Sequence, residues 1–138
     1  MQKLSLNFVL LITVGCSIFI SDQNVKETTL KKSFYQNGSI EYESEHKNGS
    51  LHGDSKYWDD SGNLISKATY SNGKLHGLWV SYFSDGNIKS KVNYYYGQKD
   101  GDEKSFYDNG QIQSLTSYKE GKVVFEKIRW TKTGNLIQ

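Results

Sequence analysis

The 138-residue chain contains no proline and only one cysteine, Cys16. A single cysteine excludes an internal disulfide and a cluster of thiolates that would hold a metal. The lack of proline leaves the backbone N–H groups free to hydrogen-bond along a sheet. Both features suit a chain built from strands and tight turns.

An excess of charge of one sign is also missing. The sequence has 17 Lys and Arg residues against 15 Asp and Glu residues, a formal net charge of +2. No run of five like charges occurs, so the chain carries no polybasic arm for a phosphate backbone or a membrane surface. We therefore expect no nucleic-acid partner.

Motifs that carry catalysis are not found. There is no Gly-x-Ser-x-Gly nucleophile elbow and no Gly-x-x-x-x-Gly-Lys-Ser phosphate loop. His52 and His76 lie 24 residues apart, but the same repeat position holds Asp100 and Val124, which favours a surface position over a metal site. The carboxylates Glu41, Glu43 and Glu45 alternate along one strand and are typical of a solvated face whose charges pair across strands. We predict no catalytic, metal or cofactor site.

The first twenty residues differ from the rest. Lys3 is followed by an apolar stretch from Phe8 to Ile20, which predicts an export signal over residues 1–20. Small residues directly before Cys16 resemble a bacterial lipobox, in which the cysteine is acylated; a cleaved signal and an uncleaved anchor are the alternatives. Residues 21–27 are polar and indicate a tether. The expected location is the cell envelope, as a membrane-anchored lipoprotein or a periplasmic or secreted protein.

Glycines recur through the remainder at a fixed spacing of 24 residues. One column is Gly38, Gly62, Gly86, Gly110 and Gly134, and the other is Gly49, Gly73, Gly97 and Gly121. A spacing kept this strictly indicates an array of small identical units. The recurrence therefore has a structural cause, and these glycines are interpreted as turn residues.

The residue pattern within each unit predicts a β-hairpin. Ile88, Ser90, Val92 and Tyr94 alternate with polar residues, which is the period of a half-buried strand. Asn-Gly pairs such as Asn72-Gly73 favour two-residue hairpin turns, and Asp85-Gly86 predicts a second tight turn. We expect an all-β fold over residues 28–138: an open, elongated, single-sheet antiparallel meander of about four repeats with half a repeat at each end.

A third glycine column and two hydrophobic columns complete the repeat. Gly53, Gly77 and Gly101 predict a β-bulge or a close backbone approach, and Phe125 replaces this glycine in the fourth unit, which should therefore depart from the pattern. The aromatic column contains Phe34, Trp58, Tyr82, Phe106 and Trp130, and the aliphatic column contains Ile40, Leu64, Ile88, Ile112 and Leu136.

Aromatic residues are the best candidates for contact with a partner. Tyr70, Tyr94 and Tyr118 share one column and are expected to form a ladder with the aromatic column nearby. Trp79 breaks its own column, and counting alternate residues from Tyr82 places it on the polar face. A single exposed indole there would be a contact for another protein or a surface polymer.

Together these residues resemble the MORN repeat in its bacterial variant form. The resemblance is carried by Asp85-Gly86-Asn87-Ile88, Tyr94, Gly97, Gly101 and Phe106-Tyr107, and is best over Gly62 to Phe83. It implies an array that binds proteins or membrane surfaces, and eukaryotic members are associated with phosphoinositides. Bacterial variants are often described as YwqK-like antitoxin components.

These observations lead to one main expectation and its rivals. We expect a non-catalytic, envelope-located module for protein binding or scaffolding, held at the membrane through its N-terminal signal or a lipid anchor. The alternative is an antitoxin or immunity-type protein that neutralises one toxin by direct binding; direct lipid binding by the array is a third. Neither edge of the sheet is closed, so an edge-strand dimer is expected to be accessible, with residues 134–138 as the edge.

Overall fold

The structure, a computed structural model, describes residues 27–137. The predicted signal over residues 1–20, with the lipidation candidate Cys16, and residues 21–26 of the tether lie outside the described part. Within residues 27–137 every regular element is a strand. No helix in this part of the chain is long and apolar enough to cross a membrane.

The strands form one antiparallel meander in which each strand pairs with the next along the chain, except that β7 and β8 both pair with β6. They are β1 (Thr28–Phe34), β2 (Ile40–Lys47), β3 (Ser50–Trp58), β4 (Leu64–Ser71), β5 (Lys74–Tyr82), β6 (Ile88–Tyr95), β7 (Gln98–Lys99), β8 (Gly101–Phe106), β9 (Ile112–Lys119), β10 (Lys122–Trp130) and β11 (Leu136–Ile137). The single-sheet meander predicted from the sequence is confirmed. Residue Asp100 separates β7 from β8, which gives eleven strands where about ten were expected.

Two-residue turns close one end of each hairpin. Asn72 and Gly73 have φ values of +50° and +77°, as a type I′ turn requires. The N–H of Gly73 also donates to the carbonyl of Leu51 in the preceding hairpin, at 2.8 Å. The same bond recurs from Gly97 to Leu75 and from Gly121 to Lys99. These short turns therefore stack along the array as well as reversing the chain.

Five-residue turns close the other end. The N–H of Phe83 donates to the carbonyl of Asn87 at 2.8 Å, and the N–H of Gly86 donates to Phe83 at 3.0 Å. Only Gly86 has a positive φ, +86°, while the Asp85 carboxylate accepts the N–H of Asn87 at 2.9 Å. The Asp-Gly pair therefore lies in a longer turn than predicted, in which Asp85 acts through its side chain.

The hydrophobic columns meet at these long turns. Each aromatic residue of the column pairs directly with the aliphatic residue that follows the turn, as Trp58 does with Leu64 and Tyr82 with Ile88. A register shift accompanies each of these two pairs. A pair of large apolar side chains thus holds the base of the turn.

The third glycine column forms bulges, as predicted. Ala68 pairs with Trp79 and Tyr70 pairs with Leu75, so three residues of β5 face the single residue Thr69 of β4. Gly77 lies in this bulge with a φ of +111°, a conformation that side chains rarely adopt. In β10, where Phe125 replaces the glycine, the pairing with β9 shifts register twice. The expected departure of the fourth unit is confirmed.

Most of the core is one row of small side chains on one face of the sheet, while Val80, 7% exposed, is buried on the other face. Ser55, Ala68 and Val92 are 0%, 3% and 1% exposed. Ser55 pairs with Ala68, and Trp79 pairs with both Ala68 and Val92, so all four side chains project from the same face. Because this row runs across successive strands, each repeat contributes to a core shared with its neighbours.

The opposite face carries most of the charge. Glu43 of β2 lies between Lys32, at 2.8 Å, and Lys56, at 3.6 Å, on the flanking strands. The hydrogen bond from Lys32 lowers the pKa of the Glu43 carboxyl. The cross-strand pairing of charges predicted for the first repeat is confirmed at this residue.

Candidate interaction surface

Trp79 lies on the same face as the core, and its predicted position on the polar face is wrong. Its cross-strand partners are Ala68 and Val92, and directly opposed residues of a sheet project from the same side. Ala68 and Val92 are almost fully buried although the sheet is a single layer. The half-buried indole between them therefore covers the core row and presents its outer surface to solvent.

Tyr70, Tyr94 and Tyr118 project from this face as well. Each is opposed by a bulge glycine on the preceding strand, and these pairs are Gly53–Tyr70, Gly77–Tyr94 and Gly101–Tyr118. Because glycine has no side chain, the backbone beside each ring is left clear for the ring to pack on. Burial raises the pKa of the Tyr70 hydroxyl, which agrees with a ring that is only partly in contact with water.

The expected ladder of stacked tyrosines is corrected by this geometry. Successive tyrosines lie two strands apart, a separation of about 10 Å, which is too far for direct stacking. The aromatic column with Trp58 and Tyr82 lies beside the long turns, at the other end of the strands from the tyrosines. Trp79 instead lies diagonally between Tyr70 and Tyr94.

A second group extends this surface toward the first repeat. Tyr42 and Tyr57 are cross-strand partners, and their rings stack with centroids 5.8 Å apart. Tyr57 pairs with Ser66, which shares its face with Ala68. We call this side of the sheet the aromatic face; its members are Tyr42, Tyr57, Tyr70, Trp79, Tyr94 and Tyr118.

Tyr118 is fixed by charged neighbours rather than by other rings. The Lys99 ammonium lies 4.7 Å from the centre of the Tyr118 ring and 2.6 Å from Glu103 Oε1. The Tyr118 hydroxyl donates to Glu103 Oε2 at 3.1 Å. Burial is the largest single effect on Lys99 and works against its charge, but the hydrogen bond to Glu103 and the attraction of nearby negative groups together outweigh it and raise the Lys99 pKa. This end of the aromatic face is therefore more polar than its centre.

Comparison with known families assigns the fold. The family model described as the MORN repeat variant matches residues 28–48, 51–72, 75–94 and 99–120, more than half of the chain. The chain belongs to the MORN repeat variant family. Each matched segment consists of the strand before a long turn and the strand after it. A separate comparison with curated proteins found no match.

This MORN array has a second aromatic group that was not predicted from the sequence. The ring of His76 lies 5.2 Å from Tyr95 and 4.6 Å from Tyr96, centroid to centroid. Tyr95 and Tyr96 are 59% and 50% exposed. Tyr96 has a φ of +46°, in a turn position where other repeats carry Asn48 and Asn72. The departure from Asn-Gly was the signal in the sequence that would have found it.

The histidine column of the MORN array contacts the next short turn. His52 Nδ1 accepts the N–H of Asn72 at 3.5 Å, and Asp100 at the same repeat position accepts the N–H of Glu120 at 3.4 Å. His52 and His76 are thus each engaged with a different turn. Among residues 27–137 no three side chains of the His, Cys, Asp and Glu types are grouped to hold a metal ion.

Proposed function

We propose that the chain is a non-catalytic binding or scaffolding module of the cell envelope, whose aromatic face receives a partner protein or a surface polymer. MORN repeats are in general repeat modules that bind proteins or membranes. The observation that carries the proposal is the convergence of all four partner candidates, Tyr70, Trp79, Tyr94 and Tyr118, on one side of a single-layer sheet.

The physical support is the combination of large rings with a rigid base. The buried side chains of Ser55, Ala68 and Val92 lie beside the rings on the same face, while the outer side of each half-buried ring remains in water. Rigid aromatic side chains lose little conformational entropy when a partner covers them, which is why they dominate many protein interfaces. The tyrosine hydroxyls at the rim add hydrogen-bonding groups.

The proposed envelope location rests on residues 1–20, which have the composition of an export signal with Cys16 at its lipobox-like position. Two acyl chains would hold the protein firmly on a bilayer. Acyl labelling of the native chain and of Cys16→Ser, followed by membrane fractionation, tests this part. We expect label in the native chain only; an unlabelled protein found in the cytosol would contradict the envelope location.

Residues on the two faces provide a test of the aromatic face. Trp79 is half-buried and projects from this face, whereas Leu30 of β1, 53% exposed, pairs with Glu45 and projects from the other face, away from the aromatic rings. A photo-crosslinking phenylalanine analogue placed at position 79 should give a discrete adduct in the native cell, and at position 30 should give none. The adduct should weaken when Tyr94 is replaced by Ala. Equal adducts at both positions, or none at 79, would refute the proposal.

An antitoxin or immunity-type role is the alternative form of the same binding activity. It is supported by the YwqK-like resemblance of the repeat residues and differs only in the identity of the partner. The crosslinked partner and a gene deletion distinguish the two roles. An antitoxin becomes essential only when the gene of its toxin is present, whereas a scaffold shows no such dependence.

A further inference from the structure

On the face opposite the aromatic rings, lysines follow one another across adjacent strands. Lys56 pairs with Lys67, Lys67 with Val80, Val80 with Lys91, and Lys91 with Lys104. We call this set the lysine row. It spans four strand spacings, about 19 Å at ~4.8 Å each, and runs perpendicular to the strands.

The arrangement is unfavourable for the fold. Lys56 and Lys67 are directly opposed, and so are Lys91 and Lys104, and like charges in this position destabilise a sheet. The adjoining repeat shows the usual solution, since Glu43 lies between Lys32 and Lys56. The stability of the fold therefore does not explain why two pairs of opposed lysines occur in one row.

The carboxylates nearby neutralise the row only in part. Lys56 lies 3.6 Å from Glu43, Lys67 lies 3.6 Å from Asp54, and Lys104 lies 3.9 Å from Asp102. These separations are long, and the side chains of Lys67 and Lys104 are 43% and 39% exposed, so such pairs contribute little to stability. Lys91 lies 5.7 Å from the centre of the Phe106 ring. A stronger anion can displace these contacts at little cost.

We propose that the lysine row binds a linear phosphate polymer that lies across the strands. The Cβ atoms of directly opposed residues lie ~4.5–5.5 Å apart, so the flexible side chains of each lysine pair can reach the oxygens of one phosphate. Val80, 7% exposed, separates the two pairs. A shallow depression of about 480 Å³, lined in part by Leu78, Lys91 and Lys104, lies at one end of the row. The proposal concerns a different face from the aromatic one and does not depend on it.

The distribution of charged side chains on this face favours a polymer over a membrane as the ligand. Glu45, Asp54 and Asp102 occupy the neighbouring row on the same face, two residues along their strands from the lysine row. A flat anionic bilayer would meet both rows along their whole length and be repelled by the acidic one. A chain one phosphate wide can follow the lysines and comes near the acidic row only where Asp54 and Asp102 approach Lys67 and Lys104. The favourable charge is therefore a line rather than a patch.

The surface also favours a polymer without bases. Proteins that bind single-stranded nucleic acids stack the bases on aromatic side chains beside the backbone groove. Here Tyr70, Trp79 and Tyr94 lie on the other face. The lysine row can bind backbone charge alone, which fits a linear polyphosphate.

Binding of inorganic polyphosphate to the full chain tests the proposal, with inorganic monophosphate, polyglutamate and anionic vesicles as separate arms. The row variant is Lys67→Ser with Lys91→Ser. Its control, Lys74→Ser with Lys122→Ser, removes the same charge from exposed positions beside short turns. We expect polyphosphate to bind the native chain and the control within about twofold of each other, and the row variant at least tenfold more weakly.

Salt dependence and stability give independent readouts. Losing two phosphate contacts should reduce the slope of log affinity against log salt by about 1.4, at ~0.7 per contact. The row variant should unfold at the same or a higher temperature than the native chain, because a repulsive partner has been removed from each pair. Equal loss in the control variant, equal binding of monophosphate or polyglutamate, or binding to vesicles without binding to polyphosphate would each overturn the proposal.

Discussion

The three bulge glycines allow a graded test of the fold, because they share a backbone conformation but differ in their surroundings. Gly53, Gly77 and Gly101 have φ values of +102°, +111° and +105°. A Cβ at Gly53 would meet the carboxylate of Glu45 directly and the Glu45 Cβ at 3.0 Å. At Gly77 the nearest atom is the Thr69 Cβ at 3.4 Å, and at Gly101 it is 3.8 Å away on Asn93.

The expected costs of substitution by alanine follow from these distances. At all three positions alanine would strain the folded backbone by ~1–3 kcal/mol. Alanine also reduces the conformational freedom of the unfolded chain, which offsets this destabilisation by ~0.4–1 kcal/mol. Gly101→Ala should therefore destabilise the array by about 1–2 kcal/mol. Gly53→Ala also displaces Glu45 Oε2 from the Asp54 N–H, a bond of 3.1 Å, and should cost about 1 kcal/mol more. Gly77→Ala should fall between them.

Urea unfolding followed by tryptophan fluorescence and circular dichroism measures these differences. A double-mutant cycle of Gly53→Ala with Glu45→Ala isolates the contact with the carboxylate, and a coupling of about 1 kcal/mol is expected because the clashing side chain is gone. Gly101→Ala is the matched control, with the same strain and an open environment. Equal destabilisation by Gly53→Ala and Gly101→Ala, or zero coupling in the cycle, would refute the reasoning.

Two further predictions concern hydrogen bonds and charge. The Tyr107 hydroxyl donates to the carbonyl of Trp130 in the next repeat at 2.9 Å. Phe83 occupies the same position 24 residues earlier and has no hydroxyl. In thermal unfolding, Phe83→Tyr should add the equivalent hydrogen bond to the carbonyl of Phe106 and stabilise the array by ~0.5–1.5 kcal/mol, and Tyr107→Phe should destabilise it by a similar amount. Hydrogen bonds from Lys32, Lys119 and Lys132 lower the pKa values of Glu43, Asp100 and Asp108. Their stabilising contribution is present above the ordinary carboxyl values of 3.8 and 4.5 and is lost as the pH falls through the lowered values, so the unfolding temperature should drop on acidification below about pH 4; an unchanged unfolding temperature at pH 3 would contradict this.

The 24-residue period was sufficient to predict the repeat fold, because turn chemistry and strand alternation agree within each unit. Asn48 and Asn72 tolerate the positive φ of a type I′ turn, and the bulge glycines occupy conformations that other residues avoid. Local rules of this kind do not depend on the rest of the molecule.

The face of Trp79 was not predictable by counting alternate residues from Tyr82. Alternation along β5 is unbroken from Tyr82 to Trp79, because the extra residue at the Tyr82–Ile88 pair is Lys89 of β6. The count therefore separates Trp79 from Tyr82 correctly, but it assigns the core to the face of Tyr82, whereas the buried Ala68 and Val92 lie on the face of Trp79. The His76, Tyr95 and Tyr96 cluster escaped for a different reason. Tyr96 in place of asparagine marked the turn as unusual, but the contact itself joins a bulge in one strand to the adjacent short turn, and that pairing is not visible in the linear pattern.

Connectivity restricted to adjacent strands has a consequence for how the chain reaches its folded form. In the described part, the pairs of strands in substantial contact are neighbours along the chain, apart from the step across the two-residue β7. No strand has to wait for a distant segment, so hairpins can complete in the order in which they leave a ribosome or a translocation pore. The sheet is suited to vectorial assembly, growing by one unit at a time behind a moving end.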